Sequence, residues 1–439
     1  MSQATMHSSS PDGAMSDAAY QDHLDHLAHH PALAESNVRL TQAEAAGAQR
    51  ILLGIGAVGL ILTIVGGFVF GSPVHALAAF EVGVMAVTAM ALGGLFFTLI
   101  HHITNASWST TLRRQSENLA SMLPICMAMV AVILVIELVS GGMLLTWIGM
   151  DPEQDYLLKK KSGFLNTPFL IVRFLLYAGL WTFMALRLRG WSVEQDQSGD
   201  RWLSRRSRFM SGWGLLVFAL SLAFFAFDFL MAMDYRFFST MWGVYYFAGS
   251  AFSSLACIAL LLLWLKSKGK LDTLVTPEHF HDHGKFMFAF TVFWGYIAFG
   301  QYFLIWYSNI PEETMYFIAR REGGWMLLGQ VLIAVHFFIP FFLLMSRIPK
   351  RHPKALAAIA VLLVIAHVFD MIWIIKPMVT AGDHGAAPLG PTSWWLDIAG
   401  ILGVFGVFGF FLLRRVASVP LVPLKDPRLQ LSMEHKNYV

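Results

Sequence analysis

The sequence predicts an all-α membrane protein of ten transmembrane helices, arranged as two four-helix bundles (spans 2–5 and 6–9) plus two peripheral helices. Three observations lead there. Hydrophobic residues make up 56% of the 439 and charged residues 13%, with a mean hydropathy of +0.58. Apolar runs of about twenty residues recur along nearly the whole chain, and a run that long spans a bilayer core. The halves also repeat. Gly83-Val84 in span 2 and Gly243-Val244 in span 6 stand 160 residues apart, as do Arg187 closing span 4 and Arg347 closing span 8. Phe227-Asp228 in span 5 and Phe369-Asp370 in span 9 stand 142 apart, the drop matching a longer connection between spans 4 and 5. Two bundles of the same topology imply an axis along the membrane normal.

Residues 1–50 are rich in Ser, Ala, His and Asp and show little apolar periodicity, so they read as a mobile tail with room for one short helix. They carry six acids against two arginines and lack a basic n-region, so no signal peptide is expected. His23, His26 and His30 fall at helical spacing; a solvated polar face explains them better than a metal site. Residues 51–74 hold peripheral span 1, 75–240 the first bundle, 241–380 the second, 381–413 span 10, and 414–439 a C-terminal tail. The ten apolar runs are 51–70, 75–100, 119–147, 167–186, 210–231, 241–265, 284–307, 323–346, 355–375 and 394–413. They are continuously apolar, so helices rather than barrel strands are expected. Trp264, Trp306, Tyr307, Trp394 and Trp395 sit at span ends, where interfacial anchors belong.

Of the 31 Lys and Arg, 23 fall on the side of both termini and 7 on the other, with Arg173 inside a span. That bias predicts cytoplasmic termini. The net charge of +3 is too small to suggest nucleic acid. The two cysteines, Cys126 and Cys257, lie in apolar runs without CxxC or Cys/His spacing, which argues against haem c, iron–sulfur or zinc ligation on this chain.

The turn between the halves reads FDFLMAMDYRFFSTMWGVYYF over 227–247, with Asp228 inside the arriving helix and Asp234 and Arg236 in the turn. A charge near the bilayer centre costs roughly 2.5–3.5 kcal/mol on insertion scales, so buried ionisable groups face a bundle interior. The candidates are Glu81, Glu137, Arg173, Asp228, His336, His367 and Asp370. A rise of about 1.5 Å per residue puts Asp370 roughly 8 Å in from the side opposite the termini, and Glu81 and Arg173 roughly 9 Å in. His367 lies roughly 12 Å in, Glu137 roughly 15 Å and His336 roughly 20 Å. The other half of the membrane offers mainly Ser121, Ser253, Ser254 and Tyr296, then His101 and His102. His367 and Asp370, three apart, share a helical face. Glu137 and Arg173 lie on consecutive spans and are expected to pair. Three chemistries fit such a set: charges fixing helix register, proton transfer or polar-headgroup binding, and haem b on His336 and His367. The glycine-spaced, paired-histidine helices of a two-haem cytochrome b are missing, which weighs against the last. The aromatics of FMFAFTVFWGYIAFGQYFLIWYSN (286–309) suit either a quinone groove or simple packing bulk.

Six stretches carry a resemblance: HHITNASWSTTLRRQSEN (101–118), NTPFLIVRFLLY (166–177), FDFLMAMDYRFFSTMWGVYYFAGS (227–250), HDHGKFMFAFTVFWGYIAFGQYFLIWYSNIPEET (281–314), HFFIPFFLLMSR (336–347) and VPLKDPRL (422–429). Through them the chain resembles the NrfD-like integral membrane subunits of bacterial alternative complex III, the ActF family. That resemblance implies a subunit of a quinol:cytochrome c oxidoreductase in the inner membrane. It also implies partners: a homologous membrane subunit (ActC), a periplasmic iron–sulfur protein (ActB), c-type cytochromes (ActA and ActE) and a small anchor (ActD). Haem c and iron–sulfur clusters would sit on those partners, none on this chain, and quinol oxidation would take place mainly in the ActC-like subunit, beside an iron–sulfur cluster. Carried onto this sequence, the family's suggested proton route points to Glu137, Arg173, Asp228, His336, His367 and Asp370. The expected function is therefore scaffolding and proton conduction within the complex. The alternatives are a quinone-binding catalytic subunit and a secondary transporter. Transporters show broken helices at a midplane site, whereas Pro124, Pro168 and Pro340 lie off the midplane or unpaired between halves.

Overall fold

The computed structural model describes residues 17–69, 72–321, 324–382 and 394–437. Among them are ten helices long and apolar enough to cross a membrane, and no strand. They are span 1 (Gln42–Val69), span 2 (Pro73–Ile103), span 3 (Leu123–Ser140), span 4 (Thr167–Ser198), span 5 (Arg201–Phe229), span 6 (Trp242–Ser267), span 7 (Pro277–Ser308), span 8 (Trp325–Met345), span 9 (Pro353–Gly382) and span 10 (Trp394–Val416). Several helices outrun their apolar runs because polar residues continue the turn beyond the membrane. Span 4 extends through WSVEQDQS to a C-cap at Gly199, whose left-handed φ of 67° suits glycine.

Spans 2, 3, 4 and 5 close one four-helix ring and spans 6, 7, 8 and 9 a second. Span 2 packs on spans 6 and 9, and span 5 on span 6, which welds the rings together. Spans 1 and 10 pair with each other and lie against span 2. The two central helices, spans 2 and 6, are the most buried. Their small residues make this feasible, since close backbone approach drives helix association in a bilayer. Gly93 of span 2 lies so near span 6 that an added Cβ would overlap the Ser250 carbonyl and the Ser254 hydroxyl. At the span 1–span 10 seam, a Cβ on Gly59 would stand 2.6 Å from the Ala399 carbonyl oxygen.

The first and last segments differ from the expected tails. Tyr20 donates to the Gly199 carbonyl at 2.8 Å, the Leu271 N–H to the Asn37 carbonyl at 3.0 Å, and the Leu421 N–H to the Val38 carbonyl at 2.7 Å. Leu27, Val38 and Leu40 are buried. From residue 17 onward the chain is thus packed onto the bundles; residues 1–16 lie outside the described residues. A few apolar anchors suffice where backbone groups find partners, and the polar composition hid them. His23 bonds Gln430, His26 and His30 face each other edge to face, and among the described residues no group of three or more His, Cys, Asp or Glu could hold a metal. The first and last described segments, from residue 17 and up to residue 437, therefore lie at one end, the terminal side; the opposite end is the distal side.

A polar helix, Thr110–Ala120, lies wholly buried beneath these segments. Arg113 donates to Asp426 at 2.6 Å and to Glu117 at 3.1 Å, Arg114 to Asp196 at 2.8 Å, and Gln115 to the Leu421 carbonyl at 2.8 Å. Arg428 reaches Asn105 at 2.7 Å. Burial alone would raise the Asp426 carboxyl, but the Arg113 and Arg428 guanidiniums outweigh it and hold it well below the usual carboxylate range. A carboxyl lowered by folding contributes fully above its unfolded value of about 4 and loses that contribution as pH falls through the lower folded value. The C-terminal strap should accordingly hold at about pH 4 and release only in stronger acid. Asp426→Asn removes the carboxylate that two buried guanidiniums share, a loss of about 3–5 kcal/mol. Trypsin should then cut after Lys425 and Arg428 at neutral pH; a variant as resistant as wild type would disprove the strap.

Candidate functional site

The first bundle holds its acid in an ion pair. Asp228 stands in the last turn of span 5 and is buried. Arg173 and Tyr177 are one turn apart on span 4 and so share a face. Arg173 grips the carboxylate through Nε at 2.9 Å and Nη2 at 2.7 Å, and the Tyr177 hydroxyl donates to it at 2.8 Å. This is the two-toothed geometry that makes arginine–carboxylate pairs strong. The guanidinium also lies over the Phe164 and Phe169 rings, at 3.9 and 4.2 Å from their centroids.

The expected Glu137–Arg173 pair is therefore corrected: span 5 presents Asp228 to Arg173. Glu137 instead accepts from the Leu144 N–H at 3.0 Å and the Leu145 N–H at 2.9 Å. It ties down the turn leaving span 3, where Gly141 and Gly142 take φ of 75° and 95°. That is a structural task. Glu81 is an electrostatic neighbour of Glu137, and its Oε2 is buried without a hydrogen-bond partner.

The second bundle treats its acid differently. Asp370, on span 9, is 0% exposed. It accepts a hydrogen bond from the Tyr245 hydroxyl of span 6 and one from Trp294 Nε1 of span 7 at 3.2 Å. Among the described residues no cation pairs with it. Two neutral dipoles thus face a carboxyl whose counterpart, 142 positions earlier, faces a guanidinium.

His336 lies in a π-helical turn, Ala334–Phe338, inside span 8. Such turns mark places where the i→i−4 ladder is interrupted; Pro340, without an N–H, follows at once. The imidazole stacks on Trp294 with centroids 3.7 Å apart and lies 4.4 Å from the Phe252 ring. Neither of its nitrogens has a hydrogen-bond partner. His367 was expected beside Asp370; their shared helix face leads to no hydrogen bond between them. The Ala86 backbone of span 2 lies near its ring, but neither ring nitrogen makes an ordinary hydrogen bond.

Asp370, Trp294, His336 and His367 thus form one buried cluster, and Arg173, Tyr177 and Asp228 another. Tyr177, Tyr245 and Trp294 were not among the candidates, because a neutral side chain in an apolar run carries no charge signal. Lys376, expected in a loop, lies inside span 9 and meets Asp397 of span 10 at 2.7 Å. On the terminal side, Ser121, Ser253 and Ser254 donate to carbonyls of their own helical stretches, and Tyr296 is exposed. They form no relay.

A cleft of about 840 Å³ opens between spans 7 and 8 under the helix Pro311–Ile318. Tyr245 and Trp294, the two donors to Asp370, form part of its inner wall. Several aromatics of the 286–309 stretch line it, among them Phe299 and Tyr302, so that crowding surrounds a space as well as filling one. No family model matches this chain, and no curated protein matches it at a significant level.

Proposed function

We propose that this chain is the integral membrane subunit of a quinol:electron-acceptor oxidoreductase of the alternative complex III type, holding the complex together and passing protons in from the distal side. Haem c and iron–sulfur clusters belong to partner subunits: ActB, ActA and ActE around a homologous ActC, with the small anchor ActD. The membrane is the bacterial inner membrane, with both termini cytoplasmic on the Lys/Arg bias.

One observation carries the proton assignment. Both bundles bury an acid on their last span, but only Asp228 is locked to a guanidinium. Asp370 can gain or lose a proton without breaking an ion pair, because among the described residues its hydrogen bonds come from Tyr245 and Trp294 alone. The Tyr245 hydroxyl can both donate and accept, so it can hand a proton to the Asp370 carboxylate. His336 and His367 lie further in, with ring nitrogens that lack partners. Arg173, Tyr177, Asp228, Tyr245, Trp294 and His336 all fall within the stretches that carry the resemblance, which ties the site to the family reading. Glu137 acts as a turn anchor.

The composition of the complex tests this. Mild detergent extraction should bring down c-type haem and an iron–sulfur subunit with the chain, together with quinol-dependent reductase activity. A chain that purifies alone, without haem c, would overturn the assignment.

A further inference from the structure

We infer that the cleft between spans 7 and 8 is a built site for one glycerophospholipid of the distal leaflet. It opens at the distal end beside Arg321 and Trp325 and runs inward to Phe338. Thirteen residues separate Trp325 from Phe338, roughly 20 Å at the usual helical rise. Half a bilayer core is about 15 Å, so the trough has the length of one leaflet's acyl chains. Its rim residues Phe299 and Met326 are exposed to where lipid would be.

The mouth supplies the polar half of the argument. Arg321 is exposed, and its only side-chain partner among the described residues is the Tyr302 hydroxyl at 3.2 Å. A guanidinium with free donors at the interface suits a phosphate diester. Its neighbour Arg320 plays another part. Pro377 has no N–H to offer the Trp373 carbonyl; Arg320 fills in, with Nε to that carbonyl at 3.1 Å and Nη2 to Ile374 at 2.7 Å. Arg320 thereby fixes the wall and leaves Arg321 to the ligand.

Two buried polar atoms complete the match. Gln301 is 6% exposed, and its Oε1 lacks a donor; Trp242 is 1% exposed, and its Nε1 lacks an acceptor. Both residues line the cleft. Leaving such atoms unpaired costs about 1–3 kcal/mol each. A glycerophospholipid offers what they lack: an ester carbonyl for Trp242, and for Gln301 a head-group N–H or O–H, from ethanolamine or glycerol. An uncharged ring on an isoprenoid tail could use the last two but has no use for the cation at the mouth.

The test uses the full-length protein in nanodiscs of phosphatidylcholine mixed with phosphatidylethanolamine or with phosphatidylglycerol, then gentle detergent transfer and native mass spectrometry of retained lipid. Wild type should keep one phospholipid and prefer the two donor-bearing heads over choline. Arg321→Ala should lower retention of every phospholipid about tenfold. Gln301→Leu should abolish the preference, and Ala298→Phe, in the cleft wall, should empty the trough. Arg321 is exposed, so its variant should melt like wild type. Equal retention in wild type, Arg321→Ala and Ala298→Phe would overturn the site, as would an occupant without phosphorus, such as an isoprenoid quinone. Preference for ethanolamine supports it with one head group, preference for glycerol with the other. Neither outcome depends on the redox role proposed above.

Discussion

Asp228→Leu is expected to destabilise the protein by about 3–5 kcal/mol, the usual penalty for removing one partner of a buried ion pair. The reason lies in what remains. Arg173 is 5% exposed, wedged against two phenyl rings, and cannot shed its charge. Among the described residues no other carboxylate bonds it, and the Tyr177 hydroxyl is its remaining polar neighbour. The double variant Arg173→Met/Asp228→Leu removes both charges and should recover most of the loss, because apolar replacements of a whole buried pair are often neutral. Thermal melting and folded yield of the two variants in one detergent give the comparison. A single variant as stable as wild type would show that the pair does not hold spans 4 and 5 together.

The second large effect is on turnover. Asp370→Asn keeps one oxygen to accept from Trp294 Nε1 and turns its amide N–H toward the Tyr245 hydroxyl, which can accept as well as donate, so the bundle should assemble. It removes the group that takes the proton. Positioned acids and bases contribute roughly 10²–10⁴-fold where proton transfer limits the rate, so quinol oxidation by the complex should fall at least about tenfold, and proton movement with it. Asp370→Glu should restore part of it. Glu137→Gln serves as the contrast: it weakens the anchor on Leu144 and Leu145 and should lower stability while sparing the proton-to-electron ratio. Turnover and proton-to-electron ratio both unchanged in Asp370→Asn would remove the proton role and leave the scaffold. The two predictions separate cleanly, since Asp228 and Asp370 answer to different readouts.

Much of this site was legible in the sequence, but not its pairings. Glu81, Glu137, Arg173, Asp228, His336, His367 and Asp370 all proved buried inside the bundles, as the cost of exposing charge to lipid demands. Which of them meet was not legible. Arg173 turned to span 5 rather than span 3, and Asp370 took a phenol and an indole rather than its helix neighbour His367. Neutral partners leave no mark in composition: Tyr245 looks like any other aromatic near a span end. Lys376 escaped for the opposite reason, since a charge next to a proline reads as the end of a span.

The sequence alone determined the helical class, the ten crossings, the common side of the termini and the recurrence of an acid in both halves. These follow from run length, residue type and offset, which are properties of one strand of text and act over a few turns of helix. Only the tertiary structure decided that one acid is clamped and the other left with neutral donors, that the chain ends are strapped down from residue 17, and that a cleft separates spans 7 and 8. Those depend on how far each helix is rotated about its axis and which neighbour it meets. A shift of one residue turns a side chain by about 100° around a helix, and nothing local in the chain records the angle at which the packed bundle settles.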